Sequence, residues 1–179
     1  QQLRTALAMG ADRAILVQTN VAVGPLSVAR IFRGLIDKES PFLVLLGKQA
    51  IDDDNGQAPQ MLAALWDRPQ VVSCSKIEIG DGKATVTREV DAGLEVLEVD
   101  LPAVLSVDLR LNEPRYVKLP DIMKAKKKPL DTLGLADFGV ADAPAFTTVK
   151  VEPPPQRQKG IMVKDVAELV DALKKKGLV

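Results

Sequence analysis

The 179 residues are 46% hydrophobic, with 24 basic side chains balanced by 24 acidic ones, 3% aromatic residues and no histidine. That composition suits one domain with an appendage or at most two small ones; zero net charge and scarce aromatics argue against a nucleic-acid surface, and no apolar run approaches the ~20 residues that cross a bilayer. Without histidine there is no Ser-His-Asp triad, no His-ligated zinc and no near-neutral proton shuttle, so no catalytic residue and no metal site is assigned.

The opening "QQLRTALAMGADRAILV" is helix-like without a capped start, and it has neither a signal peptide's cleavage site nor a transit peptide's composition. It reads as a chain that begins partway through a βα repeat, with earlier strands missing or removed. Residues 13–18 read as a strand. The following helix places Val28, Ile31, Phe32 and Leu35 on one face. Residues 42–46 form an apolar run without alternation, as in a central strand covered on both faces. A second helix is expected over 56–66, with Met61 and Leu65 four residues apart. Then "VVSCS" gives a short strand in which Cys74 reads as a buried, inert thiol without a disulfide partner. Strand, helix, strand, helix, strand predicts an α/β fold with a parallel layer and right-handed crossovers.

After Ser75 the period changes to two. "KIEIGDGKATVTREV" predicts a hairpin around Gly80, Asp81 and Gly82, and a buried strand over 103–107 follows a proline break. Residues 110–128 combine a proline-stiffened loop, one leucine and a lysine-ended short helix. "VEPPPQRQKG" is a stiff linker. The last helix aligns Val166, Leu169, Val170 and Leu173, a face that needs a surface of this chain or, preferably, of a partner.

The most chemically pointed stretch is "LLGKQAIDDDNGQAPQM", where a buried strand passes through a glycine and a polar loop into a helix. Ligands of open α/β sheets sit at such junctions, and the N–H groups of Gly56, Gln57 and Ala58 are placed to hold a phosphate. No Walker loop and no G-x-G-x-x-G is present. Asp52, Asp53 and Asp54 do not follow calcium-loop spacing, because Gly56 and Ala63 stand where a ligand and a glutamate are needed. Two readings stay open. Asp52 or Asp53 receives hydrogen bonds from a nucleotide while Asn55 or Asp54 caps the helix, or the stretch is an ordinary N-cap with solvated acids.

Five fragments in order and spacing, "ALAMGADRAI", "LVLLGKQAIDDD", "LRLNEPRY", "IMKAKKK" and "PPQR", resemble the beta subunit of electron-transfer flavoproteins, and the likeness covers nearly the whole chain. "VTREVDAGLEVLEVDLPAVLS" is similar to the family's signature, departing at Ala92. The resemblance implies a parallel Rossmann-like sheet of the adenine nucleotide alpha hydrolase-like type, with an added antiparallel hairpin and a C-terminal arm and helix. It implies a nucleotide-binding domain over 1–110, a partner recognition loop over 107–129, and an arm and helix over 130–179 docking on an alpha subunit.

The same resemblance implies one AMP, held by Leu46, Gly47, Lys48, Asp52, Asp53, Asn55, Gly56, Gln57 and Ala58, and one FAD per heterodimer, held mainly by the alpha subunit. The family usually reads asparagine-glutamine-threonine-glycine where Gly56, Gln57, Ala58 and Pro59 stand here, so a hydroxyl for phosphate is lost at Ala58. In the recognition loop, Asn112 and Pro114 shape the turn, Arg115 and Tyr116 brace it, and Leu119 projects before Pro120 starts the helix. Arg110, Ile122, Met123, Lys124 and Lys127 complete the surface for acyl-CoA dehydrogenases and related flavoenzymes, from which electrons would pass to a membrane quinone oxidoreductase. On residue chemistry alone the lysines better suit a solvated helix C-terminus, and the resemblance tips them toward docking. The expected setting is the mitochondrial matrix, or the cytoplasm of a bacterium. A rival reading is a nucleotide-binding hydrolase or sensor that holds magnesium on Asp52–Asp54.

Overall fold

Seven strands and five α-helices, besides one 3-10 turn (Leu135–Phe138), are present among the described residues, 1–51, 54–141, 146–157 and 159–179, of the computed structural model. In chain order they are α1 (Gln2–Met9), β1 (Ala14–Gln18), α2 (Pro25–Glu39), β2 (Leu43–Gly47), α3 (Ala58–Trp66), β3 (Gln70–Gly80), β4 (Lys83–Val90), β5 (Gly93–Asp100), β6 (Ala103–Val107), α4 (Leu119–Ala125), β7 (Leu130–Gly134) and α5 (Val166–Lys175). The chain divides into two units, Gln1–Phe146 and Thr147–Val179, each described by itself.

The first unit is mixed α/β. Its five-stranded sheet runs β2-β6-β3-β4-β5. β2 and β3 flank β6 in parallel, while β4 and β5 continue antiparallel from β3. The expected separate strand over 71–75 is instead the first part of one long strand, β3, which serves both ladders. Register shifts on either side of Cys74, with Ser73 at φ 63°, turn the strand from its parallel to its antiparallel neighbour. The buried Ser106 hydroxyl accepts the Ser73 N–H at 2.9 Å and so satisfies a donor at the bulge.

Two further points correct the linear reading. β1 does not share a ladder with β2 and β3; it pairs in parallel with β7, in a second sheet. β7 falls in the stretch expected to be arm, so the first unit runs past the expected boundary at 110 to Phe146. A strand reading "LDTLG" has only five residues, two of them polar, and carries little periodicity of its own.

Helix α2 explains why the two sheets belong to one unit. Its Ala29 and Ile36 pack with Leu62 and Ala63 of α3 and Val104 of β6. Its Ile31 and Leu35 pack with Leu135, Val140 and Val17 of β1. The single stripe expected from spacing is therefore a wider apolar surface that touches two clusters. Gly24 precedes Pro25 at the helix start, where proline's fixed φ and missing N–H cost nothing.

In the second unit, α5 is the only helix among the described residues. Asp165 caps it, accepting the Glu168 N–H at 2.9 Å, and the Glu168 carboxylate accepts the Lys164 N–H at 2.7 Å. Lys174 and Lys175 sit in its last turn, where the macrodipole favours them. None of its residues is buried.

Candidate functional site

β2 and β6 run parallel and end side by side at Gly47 and Val107, and the Lys48 N–H crosses between them to the Val107 carbonyl at 2.9 Å. At this end of the sheet two clefts open. The first, about 360 Å³, is lined by Leu46, Gly47, Lys48, Asn55, Gly56, Gln57 and Ala58, together with Val23, Pro25 and Val28. Seven of the nine residues assigned to a nucleotide from the sequence thus line one cleft. Asp52 and Asp53 lie outside the described residues.

The helix start differs from expectation. α3 begins at Ala58 with Gln57 as its N-cap, and no side chain caps it, so neither Asn55 nor Asp54 does so. Asp54 adopts φ 52° and lines the second cleft instead. Gly56 sits at φ +57°, which glycine adopts without the steric cost an L side chain meets; space is not the issue, since a Cβ there would lie 3.7 Å from the Lys48 carbonyl oxygen.

Sequence reasoning missed the other wall of this cleft. Val23, Pro25 and Val28 come from the β1–α2 junction, and α2, like α3, begins without a side-chain cap. Two helix N-termini therefore meet one cleft, each with unmet N–H donors and the positive end of its dipole. The Gly24-Pro25 start after an apolar strand was the visible signal. Lys48 adds a formal positive charge.

The second cleft, about 660 Å³, is lined by Lys48, Asp54, Glu89, Asp108, Leu109 and Arg110 among others. Here Arg110, assigned to partner binding, folds back onto carboxylates of its own chain. Its Nε donates to Asp108 Oδ2 at 2.9 Å, its backbone N–H donates to Asp108 Oδ1 at 2.8 Å, and its guanidinium also pairs with Glu89. The Asp108 side chain is only 5% exposed. The hydrogen bonds from Arg110 hold its carboxyl below the ordinary value and, reciprocally, raise the Arg110 guanidinium. This ion group fixes the loop where it leaves β6.

Along the loop, Asn112 and Pro114 are exposed and carry no regular structure. Arg115 does brace it, donating to the Met9 carbonyl at 3.3 Å. Tyr116 does not; its side chain is 86% exposed, with no hydrogen bond among the described residues. α4 starts at Leu119, one residue before Pro120, and Asp121 accepts the Lys118 N–H at 3.4 Å. Leu119 is 71% exposed, and Ile122 and Met123 are exposed beside it, whereas Ala125 is buried. Lys124 and Lys127 are exposed.

Cys74 is fully buried; burial pushes its thiol up to about 11. It should therefore resist iodoacetamide at pH 8 in the native protein and react once the chain is unfolded, as intact-mass measurement would show. Among the described residues no group of three or more His, Cys, Asp and Glu could hold a metal ion, and no helix is long and apolar enough to cross a membrane.

A parallel ladder whose carboxyl end faces two helix N-termini defines a Rossmann-like α/β protein. The family model described as electron transfer flavoprotein domain matches residues 1–138. The electron transfer flavoprotein subunit beta, mitochondrial, of Arabidopsis thaliana is 53% identical over 174 residues, 96% of this chain and 69% of its own length. Subunit beta of Dictyostelium discoideum is 49% identical, covering 100% of this chain and 72% of that protein, and that of Bos taurus is 49% identical, covering 99% and 71%. The chain belongs to the electron transfer flavoprotein family, as a beta subunit, and its role is electron transfer.

Proposed function

We propose that this chain is the nucleotide-binding and docking half of a heterodimeric electron carrier. An alpha subunit holds most of one FAD, which supplies the redox chemistry when bound. This chain's own residues bind AMP, shape the carrier and hold the electron donor. The observation that carries the nucleotide reading is the convergence of the uncapped α2 and α3 starts on one cleft beside Lys48. Its size lies within the roughly 300–1,000 Å³ of ligand pockets. Backbone donors there substitute for the hydroxyl absent at Ala58.

The docking reading rests on the exposed apolar row Leu119, Ile122 and Met123 beside Lys124 and Lys127. Lysines steer an acidic partner over distance, and the leucine holds it at contact. Acyl-CoA dehydrogenases are the proposed donors and a membrane quinone oxidoreductase the acceptor. The mitochondrial matrix is the proposed setting, in keeping with the mitochondrial plant relative.

Non-denaturing mass spectrometry of the purified protein tests the reading. A yellow heterodimer that releases one FAD and one AMP is expected. A colourless, magnesium-dependent monomer that turns over ATP would overturn it in favour of a hydrolase.

A further inference from the structure

Helix α4 has seven residues and one buried side chain, Ala125. A helix that short is marginal by itself, so something else must set its position. Two cations do so reciprocally. Arg4, on α1, donates from Nη1 to the carbonyls of Ala125 and Lys128, both at 2.8 Å, at the C-terminal end of α4. Lys128 donates from Nζ to the Leu7 carbonyl at 3.0 Å and to the Ala11 carbonyl at 2.6 Å, around the C-terminal end of α1. Each segment thus supplies a cation to carbonyls at or just past the C-terminal end of the other helix, where the macrodipole favours positive charge; Leu7 and Ala125 each also accept a local backbone N–H on a second lone pair.

A third contact joins the same two segments. Arg115 reaches the Met9 carbonyl, and its Nη1 lies 2.7 Å from where a Cβ on Gly10 would stand, at φ +125°. Any larger residue at position 10 would be strained at that φ and would displace the Arg115 guanidinium.

We propose that Arg4 and Lys128 are positioning residues that hold α4 in register on α1 before a donor arrives. Lys128 is thereby set apart from Lys124, Lys126 and Lys127, which stay exposed. The idea rests on the docking reading above, and its physical gain is preorganisation: a segment already ordered loses less entropy on binding.

The test uses the assembled heterodimer with Lys128→Met, Arg4→Met and the conservative Lys128→Arg. Two quantities are read: amide hydrogen exchange across residues 119–128 without donor, and KM against kcat with an acyl-CoA dehydrogenase. Each methionine variant removes two hydrogen bonds and should exchange faster and show a raised KM, both by at least roughly tenfold, the factor that loss of even one of them represents. kcat should hold, and Lys128→Arg should stay near wild type. Unchanged exchange overturns the clamp, and faster exchange with unchanged KM overturns its positioning role. A parallel Leu119→Ala variant separates the two readings. If its KM does not move, the docking leucine fails; if its KM rises while both methionine variants match wild type, only the clamp fails. Should a methionine variant not assemble, Lys128→Gln, which keeps a neutral amide NH2 as donor, is read by the same two outcomes.

Discussion

Leu119→Ala is expected to weaken association with an acyl-CoA dehydrogenase by roughly ten- to a hundredfold, the consequence of losing the 1.5–3 kcal/mol that a fully buried leucine contributes. The fold should not notice. Leu119 is 71% exposed and belongs to none of the buried clusters, while α4 is held from its other end by Ala125 and the cations there. FAD content and melting temperature should stay at wild type, and only the concentration dependence of flavin reduction should change. Loss of FAD, or a lowered melting temperature, would make the leucine a structural residue and remove the main support for docking.

Leu105→Ala acts on the opposite end of the energy scale. Leu105 is fully buried in β6, registered between Leu45 of β2 and Val71 of β3. Removing its side chain leaves a cavity in a central strand, which costs about 2–5 kcal/mol. At roughly 2–4 °C per kcal/mol, melting should fall by about 4–20 °C. The same strand holds β2, whose Leu46 and Gly47 line the nucleotide cleft, so nucleotide retention should fall with stability. A shift under about 2 °C in a thermal unfolding scan would contradict the central placement of β6.

The parts of the site that were legible are those whose chemistry is local. Gly47, Gly56 and Gln57 follow one strand within a dozen residues, and the strand-loop-helix pattern announces a ligand junction without knowing what faces it. Leu119 beside a lysine run is equally visible. The opposite wall of the cleft was hidden because Val23, Pro25 and Val28 look like an ordinary helix start; nothing in their spacing tells which loop they meet. The ion pairs of Arg110 were hidden for a similar reason. An arginine in a loop reads as free, until folding brings Glu89 and Asp108 to it.

From local order alone, the chain settles its helices, its hairpin at Asp81 and Gly82, its buried cysteine and its lack of histidine chemistry. Folding alone decides that β6 lies between β2 and β3, that β1 pairs with β7, and that Lys128 faces α1 instead of solvent. The physical reason is range. Turn and helix preferences are energies within a few neighbouring residues, whereas partners such as Arg4 and Lys128, 124 positions apart, are selected by the whole packed core.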